Sequence, residues 1–196
     1  ASGNYTLDSD DNNAISFGST DNCSLTKTVT PNSFTCANVG SNLVTLTVTD
    51  PQGNLDECNT TITVVDNTPP TAICQNITVQ LDATGNVSIT PEQIDNGSND
   101  ACGIQSLELD ITDFDCFNIG SNPLTNTVTL TITDNNNNVS TCTALVTVED
   151  NVNPVVTCRV TGEQLVETDT DECTYAHSGT AWDVDATDAC VTIASL

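Results

Sequence analysis

Residues 127–133 read TVTLTIT, and this stretch decides the fold. Valine, leucine and isoleucine alternate with threonine at every second position. A period of two places the apolar side chains on one face of an extended strand, which β-branched residues favour. The same alternation occurs in VTLTV (44–48) and from Cys142 to Val148. The pattern predicts half-buried antiparallel strands, and no stretch carries a helical stripe of useful length.

Motifs around these strands recur along the chain, which indicates tandem repeats. Three sets recur at offsets of 79 to 88 residues: VVDNTPPTAIC (64–74) with VEDNVNPVVTC (148–158), CANVGSN (36–42) with CFNIGSN (116–122), and STDNC (19–23) with SNDAC (98–102) and ATDAC (186–190). We expect an incomplete repeat at 1–66, a complete repeat at 67–150 and the start of a third at 151–196. The predicted fold class is all-β, with tandem immunoglobulin-like β-sandwich repeats of about 84 residues.

The charge of the chain excludes several classes of partner. Its 196 residues include 27 Asp and Glu but only two cations, Lys27 and Arg159, which gives a net charge of −25. Binding to nucleic acid needs clustered Lys and Arg, so it is excluded. No apolar run approaches the roughly 18 residues of a membrane span, so we expect no membrane insertion in this segment.

Ten cysteines point to an oxidising compartment. The nearest pair, Cys23 and Cys36, are 13 residues apart, and the chain has no CxxC motif of the kind that binds zinc. We therefore expect disulfides, and with them a secreted protein at the cell surface or outside the cell.

The stretch TVTLTITDNNNNVSTCTALVTVEDNVNPVVTC (127–158) resembles the end of one hyalin repeat and the start of the next. The resemblance lies in the closing hairpin, its cysteine and the acidic-Asn-x-x-Pro segment that follows. It implies immunoglobulin-like sandwiches of extracellular proteins, commonly linked to adhesion. Long arrays of this kind with extra cysteines are typical of giant secreted adhesins of gliding bacteria. The third repeat departs from the pattern, because Cys173 has no equivalent in the other two.

We expect no enzyme. The sole histidine, His177, adjoins Ser178, but one adjacent pair does not supply a nucleophile, a base and an orienting acid. The sole tryptophan, Trp182, favours a second hypothesis, because an exposed Trp can stack on a sugar ring. The chain would then be a carbohydrate-binding accessory region of a secreted enzyme. The same residue is also typical of core or interdomain packing.

Acidic residues are expected to meet where one repeat joins the next. In an immunoglobulin-like topology, the NNNN turn (135–138) and the loop at 94–102 reach the end of the sandwich that faces the preceding repeat. Converging oxygens are what Ca²⁺ prefers. The candidate ligands are Asp66, Asn67, Asp95, Asn99, Asp100, Asp134, Asp150, Asp183 and Asp188. The alternative, that these residues only shape turns and cap backbone N–H groups, stays open.

The same topology yields a disulfide framework. Cys74 lies early in the first strand of its repeat and Cys142 early in the last, so both are expected at one end of the sandwich. We predict a Cys74–Cys142 bond, which leaves Cys102 for Cys116 and, by equivalence, Cys23 for Cys36. Partners beyond the two ends of this segment are expected for Cys58 and Cys158, and those of Cys173 and Cys190 stay open.

The sequence therefore favours an extracellular stalk or filament without catalytic residues. Its expected partners are neighbouring repeats of a long chain, with surface glycans or other cells as adhesion targets. Low-charge, threonine-rich strands can also pair edge to edge, so self-assembly into fibres is a further expectation. The negative charge opposes such assembly, which salt or divalent ions would favour.

Overall fold

The described part of the chain folds into short β-strands arranged in five sheets. The structure is a computed structural model that describes residues 3–16, 18–124, 126–158, 184–190 and 192–193. The strands are β1 (Asn4–Thr6), β2 (Thr26–Thr30), β3 (Ser33–Thr35), β4 (Gly40–Thr49), β5 (Leu55–Val64), β6 (Ile77–Gln80), β7 (Asn86–Ser88), β8 (Ile104–Leu109), β9 (Asp113–Asp115), β10 (Thr127–Asp134), β11 (Val139–Glu149), β12 (Val155–Cys158), β13 (Val184–Thr187) and β14 (Thr192–Ile193). This confirms the all-β prediction.

Two hairpins form the longest strand pairs, as their alternating sequences predict. β4 pairs with β5 in antiparallel register from Gly40 opposite Val64 to Thr49 opposite Leu55. In β10, the residue in every second position is buried, and Val128, Leu130 and Ile132 are fully inaccessible to solvent. The apolar face of each hairpin therefore supplies core residues, while its threonines lie on the more exposed face.

The first hairpin covers a small core. Val29, Phe34, Val44 and Leu46 are buried together, with Leu7, Ile15, Val48, Ile62 and Val64 packed against them. Only one aromatic side chain is buried in this cluster. A core of this size buries little apolar surface, so covalent cross-links contribute a larger share of stability than in a large domain.

The second hairpin belongs to a four-stranded sheet in the order β6-β11-β10-β8. β6 pairs with β11 in parallel, with Ile77 opposite Val146. The alternation had predicted antiparallel strands throughout. The difference follows from connectivity, because β6 follows one Asp-Asn-x-x-Pro segment and β11 leads into the next. A first strand that enters at one end and a last strand that leaves at the other run in the same direction.

A short strand pair and a 3-10 turn recur in the first two repeats with matching register. β1 pairs with β3 (Tyr5 opposite Phe34), and β7 pairs with β9 (Val87 opposite Phe114). The 3-10 turns Cys36–Asn38 and Cys116–Asn118 follow β3 and β9. In each turn, the side chain of the preceding residue accepts a hydrogen bond from the turn backbone, and the side-chain oxygen of the Asn that ends the turn accepts one from the backbone N–H of that preceding residue. The cysteine that begins the turn therefore has a fixed position.

Among the described residues, two short α-helices interrupt the strands. Helix α1 (Ser9–Ile15) precedes β2, and helix α2 (Pro91–Ile94) precedes the SNDAC loop. Proline at the first position and a capping box with Thr90 start α2. Both helices are too short for a helical period to be recognised in their sequences. No helix in the described ranges has the length and apolar character required to cross a membrane.

The chain divides into two compact units. The first comprises residues 1–73, 96–108 and 131–142, and the second comprises residues 74–95, 109–130 and 143–196. The second includes the small antiparallel sheet β12-β13-β14. The predicted repeat boundaries at 66/67 and 150/151 describe sequence equivalence and stay predictions. The word joint is used below for residues 66–70 and 150–154, the two Asp-Asn-x-x-Pro segments.

Asp134 closes the β10–β11 turn through three hydrogen bonds. Its Oδ1 accepts from the backbone N–H groups of Asn136 and Asn138, each at 2.8 Å, and its Oδ2 accepts from Asn138 Nδ2 at 2.8 Å. The side chain is fully buried. Burial raises the pKa of this carboxyl, but these hydrogen bonds outweigh it and hold the pKa below the ordinary value of 3.8.

Replacing Asp134 by Ala should destabilise the fold by about 1–3 kcal/mol at pH 7, because buried donors lose their acceptor. A carboxyl whose pKa is lowered by folding stabilises the protein above its ordinary pKa and loses that effect as the pH falls through the lowered value. The difference in unfolding free energy between the native protein and Asp134→Ala should therefore shrink from pH 5 to pH 2 in urea titrations. A difference independent of pH would contradict this role.

Candidate functional site

A disulfide bond crosses the first joint. Cys36, in the turn after β3, bonds to Cys102, in the loop before β8, with an S–S distance of 2.01 Å and a Cα–Cα distance of 5.1 Å. Cys36 belongs to the predicted first repeat and Cys102 to the second. The bond closes a separation of 66 residues, and both cysteines lie in the first compact unit.

An equivalent bond crosses the second joint. Cys116 bonds to Cys190 over a separation of 74 residues, with a Cα–Cα distance of 5.0 Å. Cys116 occupies the position of Cys36 in the 3-10 turn, and Cys190 occupies the position of Cys102 in the Asp-x-Cys loop. The same type of bond therefore recurs between matching sequence motifs.

Two predicted disulfides are therefore wrong, namely Cys23–Cys36 and Cys102–Cys116. Both predictions paired cysteines within one repeat. In the structure, the Cys36 sulfur lies 3.5 Å from the carbonyl oxygen of Ala101, the residue before Cys102, whereas Cys23 is an exposed free thiol. The 3-10 turn directs its cysteine toward the following repeat, so a framework that assigned partners within each repeat could not find this bond.

The remaining cysteines differ in status. Cys74 and Cys142 are both disulfide-bonded, and the bond between them stays a prediction. Cys58 is an exposed free thiol. Its predicted partner, and that of Cys158, would lie outside this segment, and the side chain of Cys158 and all of Cys173 lie outside the described residues.

A glycine gives each disulfide room. Gly3 has a φ of +64° and Gly85 a φ of +79°, a region that side chains rarely adopt. A Cβ on Gly3 would lie 2.8 Å from the Cys36 sulfur, and one on Gly85 would lie 2.8 Å from the Cys116 sulfur. Both glycines precede Asn in S/T-G-N and lie immediately before β1 and β7, the strands that pair with β3 and β9. The sequence carried this signal, because S/T-G-N recurs with the cysteines.

Of the predicted calcium ligands, the structure brings Asp66 and Asp100 together at the first joint. One carboxylate oxygen of each lies within 4.8 Å of the other and of the Cys102 sulfur. Asp66 Oδ1 accepts from the backbone N–H of Thr68 at 3.1 Å, and Asp100 Oδ1 accepts from that of Cys102 at 2.7 Å. Asp66 Oδ2 is buried and has no hydrogen-bond partner.

Asp150 and Asp188 repeat this arrangement at the second joint. Their carboxylate oxygens and the Cys190 sulfur also lie within 4.8 Å of one another. Asp150 Oδ1 accepts from the backbone N–H of Val152 at 3.0 Å, and Asp188 Oδ1 accepts from that of Cys190 at 2.9 Å. Each joint therefore presents two carboxylates beside a disulfide, and one oxygen of each carboxylate is oriented by the backbone.

Backbone pairing holds the Asp-x-Cys loop beside the joint segment. Thr71 and Asn99 exchange two backbone hydrogen bonds of 2.8 and 3.0 Å. Val155 pairs with Thr187 at the equivalent positions. The NNNN turn supports the loop, because Asn135 Nδ2 donates to the Cys102 carbonyl at 2.8 Å and Asn138 Nδ2 donates to the Asp66 carbonyl at 3.1 Å.

The other predicted ligands have different surroundings. Asp134 accepts its hydrogen bonds from the NNNN turn. The side chain of Asn99 donates to the carbonyl of Gly97. Asp95 ends helix α2, and Asn67 is exposed. Asp183 lies outside the described residues. The turn-shaping interpretation therefore describes Asp134 and Asn99.

The first joint forms one side of an open cleft of about 420 Å³. Its lining includes Tyr5, Val65, Asp66, Asp100 and the Cys36–Cys102 pair. Lys27 is the only Lys or Arg among the described residues, and it does not line this cleft. The two carboxylates therefore lack a cationic side chain among the lining residues.

Comparisons with known proteins identify no family. No protein-family model matches the chain, and a search of curated proteins finds no significant match. Among solved structures, the chain is similar to the extracellular cadherin domains 1–4 of protocadherin gamma B7, with a TM-score of 0.33 and 12% identity. The match covers 88% of this chain and 49% of that one, so the chain spans about half the length of that structure. The fold assignment rests on the strand pairing described above.

Replacing Gly85 by Ala should lower the unfolding free energy more than replacing Gly120 by Ala. Both glycines have a positive φ, but a Cβ on Gly120 would meet nothing within 4 Å. Both variants should lose about 1–2 kcal/mol to backbone strain, and Gly85→Ala should lose about 1–3 kcal/mol more to the clash with the Cys116 sulfur. Urea denaturation without reductant measures the difference.

Reduction should decrease the difference in unfolding free energy between Gly85→Ala and Gly120→Ala, because a free Cys116 side chain can rotate away from the added methyl group. Equal losses in the two variants before reduction would show that Gly85 is not required to accommodate the disulfide.

Proposed function

We propose that the chain is part of an extracellular stalk whose successive repeats are covalently stapled to one another. The observation that carries this proposal is the recurrence of one bond type, Cys36–Cys102 and Cys116–Cys190, across both joints. A bond that joins one repeat to the next does not assemble a catalytic group. It limits how far neighbouring repeats can separate, which is what a load-bearing spacer requires.

The energetics support a mechanical role. In the chain-entropy model, loops closed by separations of 66 and 74 residues stabilise the folded state by roughly 4 kcal/mol each. Repeats with small cores gain most from such constraints. Six cysteines of the described residues are disulfide-bonded, and persistent disulfides belong to oxidising compartments. This chemistry supports the proposed extracellular location.

An adhesive role at a cell surface follows from the resemblance of residues 127–158 to hyalin repeats. Adhesins hold their binding domains away from the cell, and a stapled array supplies a spacer that resists extension. Surface glycans or other cells are the proposed targets, and lateral assembly of the threonine-rich strands into fibres is a further proposal. The rival carbohydrate-binding hypothesis depends on Trp182, which lies outside the described residues.

We also propose that Ca²⁺ binds at each joint between the paired carboxylates, Asp66 with Asp100 and Asp150 with Asp188. Two carboxylates within 4.8 Å repel each other by about 1–3 kcal/mol, depending on the local dielectric. Asp66 Oδ2, buried and without a hydrogen-bond donor, lacks the partner that a buried carboxylate oxygen needs. A hard divalent cation would satisfy that oxygen and offset the repulsion. The disulfide sulfur is not a suitable ligand for it.

Pulling the chain from its ends should distinguish stapled from unstapled repeats. With both bonds intact, the enclosed residues cannot extend, so reduction should lengthen the fully unfolded chain by roughly 460–500 Å. If Cys23–Cys36 and Cys102–Cys116 formed in their place beside the predicted Cys74–Cys142 bond, reduction would release only roughly 270–290 Å. Single-molecule force spectroscopy measures the increment. The double variant Cys36→Ser/Cys116→Ser is the control, and its increment on reduction should fall to roughly 220–250 Å, the length that the predicted Cys74–Cys142 bond encloses.

An increment of roughly 290 Å or less would overturn the stapled-stalk function. A glycan-array signal that Trp182→Ala abolishes, combined with such a result, would establish the carbohydrate-binding alternative in its place.

Calcium should raise the melting temperature of the native chain. With a Kd near 1 mM, a value in the range of extracellular modules, 10 mM Ca²⁺ would stabilise each joint by about 1.4 kcal/mol. The variant Asp100→Asn/Asp188→Asn should lose this response. The matched control is Asp56→Asn/Asp110→Asn, which removes the same charge from carboxylates that also accept one backbone N–H. Thermal unfolding in calcium, in magnesium at equal ionic strength and in chelator tests the site. Equal melting temperatures of the native chain in all three would exclude it.

A further inference from the structure

We infer that Cys23 forms a further cross-link of the same type, in which it takes the position of Cys102 and Cys190. Its partner would be the cysteine of a Cys-x-Asn-x-Gly turn, the motif found at 36–40 and 116–120. The inference rests on the proposed function of a stapled array. It assigns a bonding site to a thiol for which the chain itself offers no equivalent partner.

Repeat equivalence supplies the first argument. Cys23 ends the STDNC motif, and the cysteines that end SNDAC and ATDAC are Cys102 and Cys190. Both of those cysteines are bonded to a cysteine of the preceding repeat. Cys23 is exposed and free. The same position is therefore cross-linked in the predicted second and third repeats and accessible for cross-linking in the first.

The surroundings of the two turn cysteines, Cys36 and Cys116, define the partner. Each begins a 3-10 turn and lies against a positive-φ glycine, Gly3 or Gly85. Both are already bonded within this chain, Cys36 to Cys102 and Cys116 to Cys190. The partner of Cys23 must therefore be a turn of the same construction in another repeat or in another molecule.

The loop around Cys23 differs from its bonded equivalents in one contact. Asp100 Oδ1 accepts from the N–H of Cys102, and Asp188 Oδ1 accepts from that of Cys190. In the free copy, Asp21 Oδ1 accepts instead from the N–H of Asn22, at 2.7 Å. The Asp-x-Cys hydrogen bond thus accompanies the disulfide. Bond formation at Cys23 should move the Asp21 contact to the Cys23 N–H.

The residue before the cysteine does not block the bond. It is alanine in both cross-linked loops and asparagine in the free one. Ala101 and Ala189 are exposed. A longer side chain at this position can extend into solvent, so Asn22 is compatible with the cross-linked arrangement.

The reaction is oxidation of two thiols by a small-molecule disulfide such as oxidised glutathione. The Cys23 thiolate attacks one sulfur of the oxidant and releases one thiolate. The thiolate of the partner cysteine then attacks the Cys23 sulfur and releases the second. Two cysteine protons pass to the solvent, two electrons pass to the oxidant, and the oxidant leaves as two thiols.

A duplicated chain tests the inference directly. ATGN (83–86) matches ASGN (1–4), so residues 1–82 placed ahead of the full chain reproduce the junction between Asp82 and Ala83. The added segment supplies an upstream Cys36. Folding in a glutathione redox buffer, followed by peptide mapping without reduction, should show Cys23 of the full chain bonded to the added Cys36. The matched control carries Cys36→Ser in the added segment only, and its Cys23 should become alkylatable.

Folding a mixture of ¹⁵N-labelled and unlabelled chains separates the two sources of the partner. A linked peptide of uniform isotope content indicates a bond within one chain, and one of mixed content indicates a turn of a second copy. Either result supports the inference. A Cys23 that is alkylated, or bonded elsewhere, while Cys36–Cys102 and Cys116–Cys190 are intact would overturn the inference alone. Loss of those two bonds as well would overturn the stapled-stalk function.

Discussion

A disulfide across each joint is the constraint on which the arrangement of the joint depends. The bond between Cys36 and Cys102 fixes the Asp-x-Cys loop against the 3-10 turn of the preceding repeat. That loop carries Asp100, which the disulfide and the Thr71–Asn99 backbone pairing together hold near Asp66. The glycine beside the sulfur leaves room for the bond. The disulfide, the glycine and the paired carboxylates therefore form one arrangement, and this arrangement recurs at the second joint.

The strands were predictable because their information is local. Alternation in TVTLTIT decides which face of β10 is buried, and the structure buries every second residue of that strand. The turns were predictable for the same reason, since Asp134 and its Asn neighbours carry their own hydrogen-bonding pattern. Helices α1 and α2 were not, because elements of 7 and 4 residues leave no periodic signal.

The disulfide pairing could not be predicted from local sequence alone. Cysteines that recur once per repeat can pair within a repeat or with the next one, and spacing does not separate these alternatives. The co-recurrence of Gly3 with Cys36, and of Gly85 with Cys116, held the distinguishing signal, because a glycine is needed where a sulfur approaches the backbone. The acidic residues divide in a similar way. The hydrogen bonds of its own turn account for Asp134, whereas the proximity of Asp66 and Asp100 depends on contacts at the joint.

Peptide mapping of the native chain without reduction tests the central claim most directly. The account predicts two cross-linked peptides that join Cys36 to Cys102 and Cys116 to Cys190, with Cys23 recovered as a free thiol. Peptides that join Cys23 to Cys36 and Cys102 to Cys116 would place every such bond within a repeat. That result would contradict the covalent stapling of successive repeats.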